Sequence, residues 1–427
     1  MKPVTTKIAI NTQIFSEKGV GGIETVLVGL VHALGRLEGP EEYVLIGPWE
    51  NPDWLRPYTG PNQKIVRGPR LEFAKRAVAP IRPLLRGVKH LILRATGTAP
   101  TWPIVQKSNG FYEGLGSDVI YFPSQHFISC ELPAVYNPHD LQHMHYPDLL
   151  SREAVIWREK ISRAGCQLAH TVVAISSWVK QDIVHQYQID PTRIQVIHWA
   201  PPTQIHQTPT PLFIDSVLKK YSLKQPFALF PAMTRRHKNH LRLLEAFALL
   251  RQQRRITPNL VCTGFQNDFW PTIEKRMNEL NLNEQVRFLG MVDPDELRAF
   301  YRAAEFLIFP TLFEGAGMPV LEAWQDNTPV TCSRVTSLPE LARDAALLFD
   351  PLSVESIAEA VGRMHMDSDL RENLRTRGSC RLQDFSWEHT AKQYRAVFRR
   401  AAGRMLNDED RWLLTCDRKG VPTCESV

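Results

Sequence analysis

Two glutamates lie on either side of a short turn of small residues, and this pattern has the clearest chemical meaning in the sequence. Glu314 precedes the turn Gly315-Ala316-Gly317, and Glu322 follows it. Such a turn presents backbone N–H groups beside the positive end of a helix, which suits sugar hydroxyls and a diphosphate. The spacing alone fits equally well an ordinary strand-to-helix turn in which Glu322 complements the helix dipole.

Both carboxylates point into one cleft if a strand ends before the turn and a helix begins after it. An apolar run ends at Phe309, and Pro319 suits the first residue of a helix, with Glu322 in its first turn. Short β-branched runs alternate with helical stretches along the chain, which is the pattern of parallel sheets covered by helices. We predict strands at residues 7–14, 43–47, 119–122, 171–175 and 195–198, and then at 227–230, 260–263, 286–289, 306–309, 329–332 and 346–349.

The two series of strands predict two domains. The chain has 427 residues, more than the ~100 to 200 that one domain usually holds. A proline-rich stretch without apolar periodicity, residues 201–211, separates the two series. Ligands bind outside the carboxyl ends of open parallel sheets, so two sheets that face each other share one cleft.

Composition is that of a soluble globular protein, with 43% hydrophobic and 22% charged residues. The formal net charge of +6 is modest for this length and gives no reason to expect nucleic acid as a partner. Seven cysteines without a C-x-x-C pair indicate reduced thiols. We expect a cytoplasmic protein, because we find neither a signal peptide nor a run of 18 apolar residues.

Five segments of the C-terminal half resemble, in order and spacing, the donor-binding half of family 4 of the retaining glycosyltransferases. They are HKNHLRLLEAF (237–247), VRFLG (286–290), FPTLFEGAGMPVLEA (309–323), SLPEL (337–341) and FSWEHTAKQYRAVFRR (385–400). The N-terminal half resembles the family less closely, through GVGGIETVLVGLVHAL (19–34), HDLQHMHYPD (139–148) and VVAISSWVKQDI (172–183).

This resemblance implies an α/β protein with the GT-B fold, in which two Rossmann-like domains face each other across a cleft and a C-terminal helix crosses back. We accordingly predict an N-terminal acceptor-side domain (1–205) with a basic insertion (60–110), and a linker (206–222). A C-terminal nucleotide-sugar domain (223–385), a crossover helix (386–402) and a tail (403–427) follow.

Three residues are implied by the resemblance to be catalytic. Glu314 would contact hydroxyls of the donor sugar, and His139 would help to position that sugar. Lys238 would hold the diphosphate, where a fixed cation stabilises the charge that grows as the sugar–phosphate bond breaks.

Six further residues are expected to bind the donor. Glu322 would accept hydrogen bonds from the ribose diol, and the backbone amides of Gly317 and Met318 would face the sugar. Gly22 would let a phosphate or acceptor approach the backbone, and Ser337 begins a helix that suits a phosphate while forming a capping box with Glu340.

The sixth residue, Arg236, replaces an arginine that many relatives carry five positions before the lysine. That position is Met233 here, and the nearest arginines are Arg235 and Arg236. We predict that Arg236 contacts the diphosphate; the alternative for either arginine is a solvated loop charge. Asn327 stands where relatives often have glycine, and asparagine tolerates the left-handed backbone that such a turn needs.

Two groups of residues mimic metal sites. His139, His143 and His145 lack a completing ligand set, and Asp293-Pro294-Asp295 more plausibly caps a helix that starts at Pro294. We therefore predict no metal and no cofactor beyond the nucleotide sugar itself.

The predicted function is the retaining transfer of a hexose, with mannose favoured by the HKNH segment, from a GDP- or UDP-sugar. The acceptor would be a glycan or a lipid-linked sugar in cell-surface polysaccharide synthesis. Alternatives are a nucleotide-sugar epimerase or hydrolase of the same fold and a non-catalytic nucleotide-sugar sensor. A dehydrogenase is disfavoured because the full G-x-G-x-x-G pattern is missing.

Residues 64–94 combine an apolar stripe at steps of three and four with a strongly basic face. Only Glu72 is acidic there. Such a segment either packs on the N-terminal sheet with its charges solvated or makes a peripheral contact with an anionic membrane. The basic residues are Lys64, Arg67, Arg70, Lys75, Arg76, Arg82, Arg86, Lys89 and Arg94.

Overall fold

A computed structural model describes residues 5–14, 22–70, 105–201, 207–254 and 256–415. The basic positions from Lys75 to Arg94 lie outside this part of the chain, so the predicted membrane contact of 64–94 stays a prediction. Within the described ranges, no helix is both long enough and apolar enough to cross a membrane, and the cysteines form no disulfide with one another.

The N-terminal half is built on a parallel sheet of seven strands in the order β3-β2-β1-β5-β7-β8-β9. A separate pair, β4 and β6, is also parallel. The strands are β1 (Thr6–Asn11), β2 (Glu41–Gly47), β3 (Gln63–Arg67), β4 (Gln106–Lys107), β5 (Val119–Phe122), β6 (Ile128–Ser129), β7 (Ala134–Tyr136), β8 (Thr171–Ala174) and β9 (Ile194–Val196).

The C-terminal half contains a second parallel sheet, of six strands in the order β12-β11-β10-β13-β14-β15. Central strands such as β10 and β13 are apolar throughout because both of their faces are covered by helices. The strands are β10 (Phe227–Pro231), β11 (Asn259–Thr263), β12 (Val286–Phe288), β13 (Phe306–Phe309), β14 (Val330–Ser333) and β15 (Leu347–Phe349).

Helices connect the strands and cover the sheets. In the N-terminal half they are α1 (Gly22–Leu34), α2 (Gln142–His145), α3 (Arg152–Leu168) and α4 (Ser177–Tyr187). The others are α5 (Pro211–Lys220), α6 (His240–Leu249), α7 (Trp270–Glu279), α8 (Pro294–Ala303), α9 (Met318–Gln325), α10 (Leu338–Ala342), α11 (Val354–Met366), α12 (Ser368–Leu382), α13 (Trp387–Ala401) and α14 (Asp408–Thr415). Short 3-10 turns lie at Arg56–Tyr58, Glu113–Leu115, Pro147–Leu149, Pro191–Arg193 and Arg236–Lys238.

All eleven predicted strands are present, with ends that shift by at most three residues. The predicted strands do not include β3, β4, β6 or β7. Strand β3 reads QKIVR and is only half buried at the sheet edge, and β7 has three residues. Such strands are too polar or too short to give a periodic apolar signal.

Helix α13 crosses back onto the N-terminal half, as expected for the GT-B fold. Its Trp387 indole donates to the Pro201 carbonyl at 3.0 Å, and its Thr390 hydroxyl donates to the His198 carbonyl at 2.8 Å. The Tyr394 hydroxyl lies 2.9 Å from that of Tyr121, which is buried on β5. These contacts tie the C-terminal helix to the N-terminal sheet.

Candidate active site

The site lies where the strand order of the C-terminal sheet reverses. Strand β10 is followed in sequence by β11 and β12 on one side, whereas its other neighbour is β13. Loops after adjacent strands that lead in opposite directions leave a crevice at their carboxyl ends. Lys238 follows β10 and Glu314 follows β13, so both residues stand at this crevice.

Glu314 is held by four groups around its side chain and backbone. Its carboxylate pairs with the Lys238 ammonium and accepts a 3.0 Å hydrogen bond from the Thr311 hydroxyl. The Glu314 N–H donates to Thr336 Oγ1 at 3.1 Å, and the Glu314 carbonyl accepts from the hydroxyls of Thr336 and Ser337 at 2.7 and 2.9 Å. The carboxylate is therefore fixed in direction although its side chain remains 14% exposed.

Lys238 sits in a turn whose geometry is fixed by Asn239. The Asn239 backbone is left-handed, with φ 66°, and its side-chain amide donates to the carbonyls of Pro310 and Pro351 at 3.0 and 2.8 Å. Burial, with the nearby charges of Lys238 and Arg235 among its further causes, lowers the pKa of His237 to about 2. His237 is thus neutral at ordinary pH, and Lys238 supplies the positive charge.

The two neighbouring arginines occupy different positions. The Arg236 guanidinium lies over the Phe269 ring, 5.2 Å from its centroid. Burial and the charge of Arg235 lower the pKa of Arg158, on helix α3 of the N-terminal half. Arg235 therefore adds its charge to the cleft between the domains, while the expected diphosphate contact of Arg236 remains a prediction.

The glycine turn leads into α9, which begins at Met318, one residue before the predicted start. Gly317 has a φ of 71°, and a side chain there would meet Leu338 and Leu341 at 2.7 and 2.8 Å. Glycine is therefore needed both for the left-handed backbone and for close packing. The amides of Gly317 and Met318 lie at the start of the helix, where backbone N–H groups are not used within the helix.

Glu322 lies deeper in helix α9 than the sequence suggested. It is the fifth residue of Met318–Gln325 rather than part of the first turn, so the alternative of a simple dipole contact does not apply. Its Oε2 accepts a 2.7 Å hydrogen bond from the Tyr301 hydroxyl. Burial raises the pKa of Glu322, and the Tyr301 hydrogen bond opposes this.

His139 reaches the cleft from the N-terminal half in a left-handed conformation, with φ 66°. Its backbone N–H donates to Asn137 Oδ1 at 2.8 Å, and its Nε2 lies 2.7 Å from the Pro123 carbonyl. Because a carbonyl only accepts, Nε2 carries the proton and Nδ1 remains an acceptor. Burial lowers the pKa of His139 and keeps the ring neutral at physiological pH.

Gly315 brings the two halves into contact beside these residues. A side chain at this position would lie 2.9 Å from Ile175 Cδ1 and 3.3 Å from the His139 carbonyl oxygen. Next to it, Phe313 packs against His145 and Trp178, with ring centroids 5.3 and 5.4 Å apart. The glutamate between Phe313 and Gly315 therefore stands directly at the domain contact.

The two remaining residues expected to bind the donor, Gly22 and Ser337, both lie at helix starts. Gly22 is the first residue of α1, and no described residue lies within 4 Å of where its side chain would be; its ligand contact stays a prediction. The capping box of Ser337 and Glu340 is wrong: Ser337 makes no side-chain cap and donates to Glu314 instead. The Glu340 carboxylate accepts hydrogen bonds from Ser177 and Trp178, in the other domain.

The residues that mimic metal sites have other partners. His143 Nε2 lies 3.2 Å from Glu159, and His145 Nε2 lies 2.9 Å from Asp182. Asp293 forms a capping box with Glu296 at the start of α8, with Pro294 as its first residue. The capping role that we predicted for Asp293 is confirmed.

Sequence reasoning missed the residues that support Glu314. Thr336 is the main one; a threonine with a φ of 48° is strained, but nothing in the sequence indicates that conformation. The cross-domain partners of Phe313 and Glu340 depend on the relative placement of two domains, which no local pattern encodes.

Two family models match the chain, one on each half. The model described as Glycosyltransferase Family 4 matches residues 20–200, and the model described as Glycosyl transferases group 1 matches residues 216–380. The boundary between the two matches falls in the proline-rich stretch between the sheets.

Curated relatives and solved structures agree with these matches. The chain is 30% identical over 283 residues to O-antigen chain mannosyltransferase B of Escherichia coli, an alignment that covers 65% of this chain and 73% of that protein. It is 31% identical over 182 residues, or 42% of its length, to the serotype-specific mannosyltransferase WbdA of Escherichia coli, but spans only 22% of that protein.

Among solved structures, Anabaena HepE, in complex with UDP and glucose, superposes with a TM-score of 0.67 at 16% identity, covering 92% of this chain and 99% of that one. Its likeness shows the shared fold. The two facing parallel sheets, the crossover helix and the family matches lead to one conclusion: the chain belongs to family 4 of the glycosyltransferases and is a glycosyltransferase with the GT-B fold.

Proposed function

We propose that the protein is a retaining mannosyltransferase that uses GDP-mannose and extends a glycan or lipid-linked acceptor of a cell-surface polysaccharide. Relatives named as mannosyltransferases support the choice of mannose, and two of them, named as O-antigen chain mannosyltransferases, support this kind of acceptor. The observation that carries the proposal is the pairing of Lys238 with Glu314 at the reversal of strand order. It puts a cation for a departing diphosphate beside a carboxylate for sugar hydroxyls.

The donor would lie on the C-terminal half and the acceptor mainly on the N-terminal half. Glu322 would bind the ribose diol, Glu314 and His139 the sugar, and Lys238 the diphosphate. Arg235 and Arg236 supply further positive charge beside the turn that holds Lys238.

In the proposed reaction, the bond between the sugar C1 and the β-phosphate oxygen breaks, and C1 forms a bond to the acceptor hydroxyl oxygen. The acceptor proton passes to the oxygen of the departing diphosphate. The sugar passes through an oxocarbenium-like state, and Lys238 with the N–H groups at the start of α9 stabilises the charge on the leaving group. Attack on the face that the leaving group vacates retains the configuration at C1.

A donor panel tests this proposal. Thermal unfolding with GDP-mannose, UDP-glucose and UDP-galactose is expected to show the largest stabilisation with GDP-mannose, about 2.7 kcal/mol at about 100 times its dissociation constant. GDP should then be released only when an acceptor such as α-1,3-mannobiose is added, and proton NMR should find an α-linkage in the product. GDP release without acceptor would indicate a hydrolase. Binding without any release would indicate the sensor.

Transfer is expected to need no divalent metal, because Lys238 and the helix N-terminus do the work that a cation does elsewhere. Turnover, measured as GDP release, should be unchanged by EDTA. A manganese-dependent glycosyltransferase treated in the same way is the control, because its loss of activity verifies that EDTA has removed the metal. The Asp293 carboxylate already accepts a 3.0 Å hydrogen bond from the Asp295 N–H at the start of α8. Activity lost with EDTA and restored by manganese would contradict the prediction.

A further inference from the structure

Glu340, in the C-terminal half, caps a helix of the N-terminal half. Its two carboxylate oxygens accept hydrogen bonds from the N–H groups of Ser177 and Trp178, the first residues of α4, at 2.9 and 3.1 Å. The next N–H, from Val179, is taken by the Ser176 hydroxyl. The first turn of α4 therefore obtains two of its missing acceptors from the other domain.

The Glu340 carboxylate is charged in this contact. Burial alone would raise the pKa of Glu340, but hydrogen bonds from His198 and the α4 backbone lower it to about 2. His198 Nε2 lies 3.1 Å from Glu340. An anion at the positive end of a helix is the favourable arrangement, so this contact stabilises the observed pairing of the two halves at neutral pH.

The residues just before Glu340 hold Glu314. Thr336 Oγ1 accepts from the Glu314 N–H and donates to the Glu314 carbonyl, and the Ser337 hydroxyl donates to the same carbonyl. The Ser337 carbonyl in turn accepts from the Leu341 N–H at 3.0 Å. Residues 336–341 thus form one short hydrogen-bonded unit with Glu314 at one end and the interdomain contact at the other.

The neighbours of Glu314 in sequence also touch the N-terminal half. Phe313 packs against Trp178, the residue whose N–H Glu340 accepts. Gly315 lies against Ile175 and the His139 carbonyl. These are packing contacts without defined direction, whereas the Glu340 hydrogen bonds fix one position of the loop against α4.

We propose that Glu340 is a positioning residue that makes the placement of Glu314 depend on closure of the two domains. The proposal rests on the proposed function of Glu314 as the residue that contacts the donor sugar. Opening would remove the partners of Glu340 at α4, release residues 336–341, and leave Glu314 without its productive direction. Closure would then assemble the sugar site only in the closed complex.

The first test removes the interdomain contact. Glu340→Ala is expected to lower kcat for mannosyl transfer at least about tenfold, or ~1.4 kcal/mol in the activation barrier, and GDP affinity measured by calorimetry should stay within about twofold of wild type. Glu340→Gln, which keeps one acceptor oxygen, should lose less. Glu359→Ala, at an exposed glutamate of α11, is the matched control. Small-angle scattering with saturating GDP should give a larger radius of gyration for Glu340→Ala than for wild type.

The second test removes the hydrogen bonds between the Thr336 hydroxyl and the Glu314 backbone and leaves the interdomain contact of Glu340 in place. Thr336→Val keeps the branched shape at the same strained backbone but lacks the hydroxyl. It is expected to lower kcat by about the same factor while the radius of gyration with GDP stays that of wild type, and Thr336→Ser should restore most of the activity.

A wild-type kcat in Glu340→Ala would overturn the proposal. So would a radius of gyration equal to that of wild type, or a loss of GDP affinity as large as the loss of kcat. If Glu340→Ala fails to fold, Glu340→Gln decides by the same measurements. If the wild-type protein transfers mannose from no donor, the proposed function fails, yet the scattering comparison still tests whether Glu340 controls closure.

Discussion

Glu314→Gln is expected to lower kcat by about 10²–10³-fold, the usual effect of losing one preorganised polar contact at the reacting centre. The affinity for GDP should fall by less than twofold, because the proposed partner of Glu314 is the sugar. In the structure this carboxylate pairs with Lys238, and its loss leaves the Lys238 charge available to the diphosphate. Initial rates at saturating donor and calorimetry with GDP measure the two quantities.

Glu322→Ala provides the contrast on the other side of the glycine turn. It removes the proposed charged hydrogen bonds to the ribose, worth about 1.5 to 3 kcal/mol each, and so should weaken GDP binding by at least about tenfold. Tyr301→Phe removes only the hydroxyl that orients Glu322. It therefore distinguishes the contact that Glu322 makes with the ribose from the support that Tyr301 gives to Glu322. Equal GDP affinity in Glu314→Gln, Glu322→Ala and wild type would refute the division of roles.

Lys238→Met is expected to be the second severe change, because it affects donor binding and catalysis together. GDP affinity should fall by at least about tenfold, and kcat by about a further 10²-fold, since the negative charge on the diphosphate is greatest in the transition state. Lys238→Arg keeps the charge in a different shape and should recover only part of the activity. Pre-steady-state rates after rapid mixing with donor and acceptor separate the two losses.

Lys238→Met should also destabilise the ligand-free protein, because it leaves the largely buried Glu314 carboxylate without its ion-pair partner. The double variant Lys238→Met with Glu314→Gln removes both charges and should recover part of the melting temperature without recovering activity. An equal melting temperature in wild type, Lys238→Met and the double variant would mean that the ion pair of Lys238 and Glu314 contributes nothing to stability.

The fold was predictable because its signals are local and repeated. Strands such as β5 and β13 are short apolar runs with the predicted ends, and the Asp293 cap follows from residue types alone. The left-handed turn expected at Asn327 is present, with φ 61°. Edge strand β3 was missed because half of its surface is exposed and its residues are mostly polar.

The site was predictable only in part. The resemblance indicated Glu314 and Lys238, and the structure brings them together, but it did not indicate that they pair with each other. The capping box at Ser337 and Glu340 fitted every local rule, yet both side chains have partners far away in sequence. Local sequence patterns indicate which nearby side chains could accept hydrogen bonds from a helix start. Which acceptor is actually present depends on how the two halves pack in the tertiary structure.

The contact between Glu340 and α4 has a consequence for the evolution of the protein. Besides the His198 side chain, Glu340 is recognised through the main-chain N–H groups of Ser177 and Trp178, which every amino acid except proline provides. Substitutions on the surface of α4 therefore leave these two main-chain hydrogen bonds intact, and an N-terminal half inherited from another relative can form them if a helix starts at the same place. The N-terminal half can diverge, or be exchanged by recombination, while the C-terminal half keeps its glutamate.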